Sequence, residues 1–168
     1  MLKARVRFAK NISKMKAVNQ QNGLTFYAIR ETGEKTLPYI STPVKAGFPS
    51  PAQDYIEEDI DLVYLLGMDK PSVFVVRVDG NSMTDAHVPD KSYLVVDRSL
   101  KPMPNDIVVA VLNGEFTVKT LVKATAGWML YPENAMYDPI LVKEGDNFYV
   151  WGVVAQVVID RREMRKRY

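Results

Sequence analysis

Ser82 lies on a short turn, Asp79–Met83, that directly follows a run of apolar residues. Gly80 permits a tight turn at this point, and a hydroxyl presented at the end of a strand is a candidate nucleophile. The turn is not the nucleophile elbow of the α/β-hydrolases, because no glycine stands two residues after the serine and the chain lacks the alternating helices of that fold. The simpler interpretation is a turn serine that hydrogen-bonds its own backbone.

A serine nucleophile needs a general base, and two side chains are candidates. His87 is the only histidine of the chain, but Ala86–Pro89 contains no acid that would orient it, which favours a plain loop histidine. Lys119 falls in the middle of Phe116–Val122, on one face with Thr117, where burial would lower its pKa toward neutrality. Most lysines in strands are exposed residues that discourage aggregation, so the spacing alone leaves both interpretations of Lys119 open.

The composition excludes several classes of protein. Cysteine is absent and histidine occurs once, which excludes a disulfide framework, a thiolate zinc site and a multi-histidine metal site. We therefore expect no metal and no other cofactor. No apolar run approaches the roughly 18 residues of a membrane-spanning helix, and no apolar signal segment follows the basic N-terminus. We expect a cytoplasmic protein without a membrane partner.

The residues after Gly67 have the composition of strands. Six runs rich in valine, tyrosine and phenylalanine are each bounded by turn-forming residues; they are Ser72–Val78, Tyr93–Asp97, Ile107–Leu112, Glu115–Val122, Trp128–Tyr131 and Phe148–Ile159. Asn113-Gly114 between two of these runs predicts a tight hairpin. The pattern predicts a mainly β fold, a compact antiparallel domain.

A short helix is predicted before this domain. Ser50 and Pro51 are suited to the N-cap and the first helical position, and Gly67 supplies a stop at the C-terminal end. Ile56, Ile60 and Val63 recur between them at helical spacing. The sequence therefore predicts a helix that ends at Gly67.

The first 46 residues differ in charge from the rest of the chain. They hold nine basic and two acidic side chains, a net charge of +7, whereas residues 47–159 hold eight and sixteen, a net charge of −8. This asymmetry indicates an N-terminal arm (residues 1–46) that lies on an acidic body, with nucleic acid as the second candidate and a solvated terminus as the third. Leu24–Arg30 and Lys35–Ser41 are predicted to form a hairpin, and residues 42–51, with three prolines and a glycine, an extended linker.

Four motifs, in order, resemble those of the self-cleaving serine peptidases of the LexA/UmuD type. The stretch that resembles the family runs from Lys45 to Arg161. The cleavage segment is matched by Ala46–Pro51, the nucleophile turn by Gly80–Met83, the strand with the lysine base by Gly114–Lys119, and the closing strand by Trp151–Val154. One such motif is weak, whereas four in the family's order and spacing are specific.

The resemblance implies catalysis by a Ser/Lys dyad. Neutral Lys119 would take the proton from Ser82, and the serine oxygen would attack the carbonyl of Ala46 and cut the bond to Gly47. Backbone N–H groups of Asn81 and Ser82 would form the oxyanion hole. The expected enzyme is an autoproteolytic serine endopeptidase.

The resemblance also implies how the chain is divided. Residues 1–46 are expected to be an arm that self-cleavage removes, and residues 47–168 a β peptidase domain of the LexA/signal-peptidase type. Val44 would fill an apolar subsite two residues before the bond that is cut. No cofactor is implied.

The arm favours the UmuD group within this family, because it contains no helix-turn-helix pattern of the kind that precedes the cleavage site in a LexA-type repressor. That group implies a homodimer that cuts itself when it meets a RecA filament on single-stranded DNA. The shortened dimer would then join a Y-family polymerase for translesion synthesis in the SOS response.

Three departures from the family pattern leave the partner surfaces open. Asp90-Lys91-Ser92 stands where the family usually has Asp-Gly-Asp, asparagine precedes Ser82, and the arm is long and basic. Two alternatives remain: a repressor or antirepressor of the same family whose basic arm binds DNA, and a catalytically inert interaction module that keeps the fold.

Overall fold

The computed structural model describes residues 17–21, 24–28, 36–40, 57–125 and 127–162. The elements in these ranges are β1 (Ala17–Gln21), β2 (Leu24–Ala28), β3 (Thr36–Ile40), β4 (Glu57–Asp61), α1 (Leu62–Leu65), β5 (Val73–Arg77), β6 (Tyr93–Asp97), β7 (Ile107–Leu112), β8 (Glu115–Ala124), β9 (Gly127–Tyr131), β10 (Ile140–Leu141) and β11 (Phe148–Val158). No described helix is long and apolar enough to cross a membrane.

Nine of these strands form one sheet, in the order β1-β2-β5-β6-β11-β7-β8-β9-β10, and β3 pairs with β4 in a second sheet. Every pairing between described strands is antiparallel. The predicted mainly β, antiparallel fold is confirmed. The six strands predicted between residues 72 and 159 are all present, with their ends within two residues of the prediction.

The core lies on both faces of the large sheet. Alternation along β7 sends Val109 into one apolar cluster and Val108 and Ala110 into the other, since successive side chains of a strand point to opposite faces. The first cluster includes Met83, the residue after Ser82. The hairpin from β7 to β8 turns at Asn113 and Gly114, which both have positive φ angles of 52° and 86°, as a type I′ turn requires.

The long strand β11 joins the two halves of the sheet by pairing with β6 on one side and β7 on the other. Its register shifts between Val150 and Gly152 against β7 and between Val154 and Gln156 against β6. Such bulges bend a strand and increase its twist. A Cβ atom at Gly152 would lie 2.6 Å from Cγ1 of Val96, so the strands approach closely only because residue 152 has no side chain.

The two strands predicted in the N-terminal arm are present as β2 and β3, but the predicted hairpin between them is wrong. β2 pairs with β1 and β5, and β3 pairs with β4. A turn between two strands specifies a local reversal, whereas pairing with β5 places Leu24 in the core with 4% of its surface exposed. Burial of this apolar side chain favours the non-local partner.

The predicted helix is largely replaced by strand over its described part. Residues 57–61 form β4, and the helix is confined to residues 62–65, with Asp61 as its N-cap. Asp61 Oδ1 accepts hydrogen bonds from the N–H groups of Val63 and Tyr64. The helical spacing is outweighed because β3 supplies hydrogen-bonding partners for β4. Gly67 has a φ of 62° just after the helix, as a C-terminal stop requires; Ser50, Pro51 and Ile56 lie outside the described residues.

We predict that Gly152→Ala lowers the free energy of unfolding by about 1–3 kcal/mol, because the new methyl group overpacks the crossing between β11 and β6. Denaturant unfolding measures the change. Val96→Ala removes the clashing methyl groups, so the double variant should be less destabilised than the sum of the single variants. Strictly additive effects would contradict the contact between residues 152 and 96 as the cause.

Candidate active site

Ser82 lies on the loop between β5 and β6, and its neighbour Met83 anchors that loop. The Met83 side chain is 2% exposed and packs in the core, while its carbonyl accepts a hydrogen bond of 3.1 Å from the N–H of Val88. Burial of the adjacent side chain limits the movement of the loop. The Ser82 hydroxyl is therefore presented from a fixed backbone.

The start of the same turn is held by charged side chains. The N–H of Gly80, which has a φ of 134°, donates a hydrogen bond of 2.9 Å to Asp90 Oδ1. Lys91 forms an ion pair with Asp79, and its Nζ lies 3.4 Å from Asp90 Oδ1. Asp90-Lys91, one of the departures from the family pattern, thus fixes the strand end from which the turn leaves.

Lys119 reaches Ser82 from the middle of β8, a strand that is paired on both sides by β7 and β9. The side chain is 8% exposed. Its Nζ lies 2.9 Å from Ser82 Oγ, 3.1 Å from Thr117 Oγ1 and 2.9 Å from the carbonyl oxygen of Val118. The structure therefore brings together the two side chains that the sequence proposed as nucleophile and base.

The surroundings of Lys119 favour its neutral form. Burial lowers the pKa of the Lys119 ammonium below its ordinary value, since desolvation disfavours the charged state. No carboxylate of the described residues forms an ion pair with it. A neutral amine has two hydrogens and one lone pair, so it can donate to Thr117 Oγ1 and to the Val118 carbonyl and accept the proton of the Ser82 hydroxyl. This is the arrangement that a lysine base needs.

Ser82 and Lys119 face a cleft of about 270 Å³. Its wall consists of the nucleophile turn with the residue before it, part of β8 and two residues from other parts of the chain, namely Leu24, Val78, Asp79, Gly80, Asn81, Ser82, Met83, Phe116, Thr117, Val118, Lys119 and Tyr137. Leu24 belongs to β2 and Tyr137 to the loop after β9. Neither was predicted from the sequence, because their positions depend on strand pairing rather than on a local motif.

The two predicted oxyanion donors lie on the turn itself. No described residue accepts a hydrogen bond from the N–H of Asn81 or Ser82. The carbonyl oxygen of Asn81 accepts two, at 2.8 Å from Asn134 Nδ2 and at 3.3 Å from Thr84 Oγ1. The side of the turn that carries the carbonyl is thus held by side chains, and the N–H groups remain available for a ligand.

His87 does not join this site. It is exposed, it does not line the cleft, and its φ of 59° belongs to a turn in which its N–H donates to the carbonyl of Thr84 at 3.0 Å. This agrees with its interpretation as a loop histidine. The predicted cleavage residues Ala46 and Gly47 and the subsite residue Val44 lie outside the described residues and stay predictions.

Residues 38–155 match the family described as Peptidase S24-like. Protein ImpA of Salmonella typhimurium is 37% identical over 134 residues, which cover 76% of this chain and 87% of ImpA. Protein MucA of Escherichia coli is 35% identical over 127 residues, which cover 74% of this chain and 86% of MucA. Both relatives thus match most of the chain.

A LexA repressor, from Acetivibrio thermocellus, is 40% identical over 114 residues. The match covers 68% of this chain but 52% of that repressor, so the similarity reaches about half of the repressor. The family model alone spans more than half of the chain. The resemblance predicted from the four motifs is confirmed, and the chain belongs to the Peptidase S24-like family.

Proposed function

We propose that this protein is a self-cleaving serine peptidase in which Ser82 is the nucleophile and Lys119 the general base for cutting the bond between Ala46 and Gly47. The observation that carries the proposal is the 2.9 Å contact between the buried Nζ of Lys119 and Oγ of Ser82. Membership of the peptidase family supports the same chemistry. A catalytically inert module does not account for a buried lysine whose Nζ lies 2.9 Å from the hydroxyl of a half-buried serine.

In the proposed reaction Lys119 transfers a proton from Ser82 to the leaving amine. Neutral Lys119 takes the hydroxyl proton as Ser82 Oγ attacks the carbonyl carbon of Ala46, and the developing oxyanion is stabilised by N–H groups of Asn81 and Ser82. The tetrahedral intermediate collapses, the bond to Gly47 breaks, and the Lys119 ammonium returns the proton to the leaving amine. Water then hydrolyses the acyl-enzyme, with Lys119 again as base.

The cleft also suggests how such a reaction is restrained before activation. Lys119 lines the cleft, so water that enters the cleft would stabilise the ammonium form and oppose the effect of burial. A cleavage segment seated over Ser82 would exclude that water and lower the pKa of Lys119 further. An activator acts, in this proposal, by increasing the fraction of molecules in which the segment is seated.

The similarity to ImpA and MucA supports a role in SOS mutagenesis. We extend the proposal accordingly: a cytoplasmic homodimer cuts itself when stimulated by RecA filaments on single-stranded DNA. The shortened dimer then serves as an accessory subunit of an error-prone Y-family translesion polymerase. The DNA-binding repressor remains the alternative for the basic arm.

We predict that Ser82→Ala and Lys119→Ala each abolish conversion of the full chain to a fragment that begins at Gly47, because one removes the nucleophile and the other the base. His87→Ala should cut at the wild-type rate, since His87 is exposed and outside the cleft. Mass spectrometry of samples aged at alkaline pH follows the conversion, and thermal unfolding verifies that each variant is folded.

Loss of cutting in His87→Ala equal to that in Ser82→Ala would contradict the lysine mechanism. The same time course with RecA, ATP and single-stranded DNA tests the SOS part separately. A faster conversion supports it. An unchanged rate would remove RecA from the proposal and leave the dyad in place.

We predict that Lys119 gives the protein a stability that rises with pH. The unfolded lysine has its ordinary pKa of 10.5, and the folded pKa is lower, so between the two values the unfolded chain binds more protons. The free energy of unfolding should therefore increase as the pH rises through that window toward 10.5. The measurement compares Ser82→Ala, which cannot cut itself, with the double variant that also carries Lys119→Met.

Only the difference between these two variants matters, because it cancels the titration of other groups. The free energy of unfolding of Ser82→Ala should increase relative to that of the double variant as the pH rises through the lowered folded pKa of Lys119. This difference should level off near the unfolded pKa. A flat difference, or one with the opposite slope, would mean that the Lys119 pKa is not lowered in the folded protein.

The proposed cut divides elements that the structure pairs. β2 belongs to the arm and pairs with β5 over four residues, Thr25–Ala28, and β3 pairs with β4 over five. Leu24 remains in the core cluster that includes Met83. We therefore predict that residues 1–46 stay bound to residues 47–168 after cutting under native conditions and separate in denaturant.

Size-exclusion chromatography after complete cutting, with and without urea, tests this retention. Leu24→Ser should weaken it, because Leu24 is 4% exposed, whereas Leu37→Ser on β3 is the matched control, because Leu37 is 38% exposed. Immediate loss of the wild-type arm in native buffer would contradict the pairing of β2 with β5 in the cut protein.

A further inference from the structure

The loop after β9 binds the β5–β6 loop at two points, one of them in the nucleophile turn. Asn134 Nδ2 donates a hydrogen bond of 2.8 Å to the carbonyl oxygen of Asn81, and the N–H of Asp85 donates one of 2.8 Å to the carbonyl oxygen of Glu133. Both bonds join segments that are about fifty residues apart in the sequence. The first of them acts on the residue directly before Ser82.

The carbonyl of Asn81 and the N–H of Ser82 belong to the same peptide group. A trans peptide is planar and its C=O and N–H point in opposite directions, and the described residues contain no cis peptide bond. A donor that fixes the direction of the Asn81 carbonyl therefore also fixes the direction of the Ser82 N–H. Rotation of this peptide group would turn the carbonyl toward the cleft, where its oxygen would repel an oxyanion.

We propose that Asn134 is a positioning residue for the oxyanion hole: by holding the carbonyl oxygen of Asn81 it aims the N–H of Ser82 at the oxygen of the carbonyl group under attack. The inference rests on the proposed function, because an oxyanion forms only if Ser82 is the nucleophile. Asn134 touches neither the substrate nor the reacting atoms in this role.

The Asn134 side chain is itself held in the orientation that the role needs. Its Oδ1 accepts a hydrogen bond of 2.9 Å from the N–H of Met136, which leaves Nδ2 as the donor toward Asn81. The preceding residue ties the loop to β8, since Thr120 Oγ1 donates a hydrogen bond of 2.7 Å to Glu133 Oε1. Thr120 follows Lys119 in that strand. The positions of the proposed oxyanion donor and of the proposed base are thus both fixed relative to β8.

A positioning role can be distinguished from a purely structural one, because other hydrogen bonds hold the loop after β9 in place. The backbone bond from Asp85 to Glu133 and the bond from Thr120 to Glu133 join the loop to the domain without Asn134. Loss of the Asn134 amide should therefore leave the fold intact. The Asn81 carbonyl would keep only the longer bond of 3.3 Å from Thr84 Oγ1, so the aim of one peptide group should change. The environment of Lys119 Nζ, which Asn134 does not contact among the described residues, should also be unchanged.

The test is the first-order rate of self-cleavage of the full chain as a function of pH. Asn134→Leu removes the donor without adding charge. Loss of an oxyanion donor costs about 10²–10³ in rate, and a donor that is present but poorly aimed should cost at least about tenfold. Because only neutral Lys119 acts as a base, the rate of self-cleavage should rise with pH to a plateau. In Asn134→Leu we expect the plateau rate to fall by that factor or more, while the midpoint of the rise stays at the wild-type pH. Asn134→Gln, which keeps an amide donor, should recover part of the rate.

Met136→Ala is the matched control, because its side chain lies on the same loop and is 89% exposed; it should cut at the wild-type rate. A second measurement is phosphonylation of Ser82 by a fluorophosphonate, in which Ser82 Oγ bonds to phosphorus and fluoride leaves. The phosphoryl oxygen gains negative charge in the oxyanion hole during this step, which does not require the cleavage segment. Asn134→Leu should slow this labelling as well. If Asn134→Leu lacks a native thermal transition, the smaller Asn134→Ala, which also removes the donor without adding charge, takes its place with the same expected plateau.

The outcomes separate the two proposals. An unchanged plateau in folded Asn134→Leu, or a shifted midpoint with the plateau kept, would overturn the positioning role and leave the dyad standing. A wild-type chain that never cuts itself would overturn the proposed function. Labelling would still test the positioning role in that case, since equal rates for wild type and Asn134→Leu would overturn it.

Discussion

Burial of the Lys119 amine beside Ser82 is the constraint on which the site depends. An ammonium group removed from water carries a large free-energy cost unless it is paired with an opposite charge or loses its proton. The described residues offer Lys119 two oxygen acceptors and the serine hydroxyl instead of a carboxylate. Burial lowers the pKa of Lys119, and the lone pair of the neutral amine can accept the proton of Ser82. The burial that keeps Lys119 neutral, and so able to accept a proton, therefore costs stability. Packing and hydrogen bonds elsewhere in the sheet must offset that cost.

The sheet holds Lys119 through the pairing of β8. Residues 115–120 pair with β7 and residues 120–124 with β9, so the Lys119 side chain enters the interior from a strand that is paired with β7 at that residue and with β9 from the next residue onward. Ser82 is different, because it lies on a loop and is fixed by contacts of its neighbours in the chain. Met83 anchors it in the core, Asp90 binds the N–H of Gly80, and Asn134 binds the carbonyl of Asn81. The proposed base thus meets a proposed nucleophile that three separate contacts hold in place.

Features of this arrangement that depend on residues close together in the sequence could be predicted, whereas those that depend on distant residues could not. The strands from β5 to β11 could be predicted because alternation and turn residues are local, and Ser82 and Lys119 were proposed from motif spacing. The N-terminal pairings could not, since β2 binds β5 across about fifty residues. One local signal was missed: Gln21 pairs with Leu24 in a hairpin joined by Asn22-Gly23, a dipeptide typical of tight turns. Asn134 had no local signal, because its partner Asn81 is distant in the sequence.

The position of Leu24 links the arm to the chemistry. Leu24 contributes to the wall of the cleft and to the core that includes Met83, so the part of the chain before the proposed cut helps to build the site that makes the cut. Burial of one leucine side chain is worth about 1.5–3 kcal/mol, which is small beside the whole stability of a domain but large for a segment that has lost its covalent link. Cutting would therefore turn a fixed wall of the cleft into a dissociable one. Cutting would change the structure itself little, but it would allow the arm that contains β2 to dissociate from β5 afterwards.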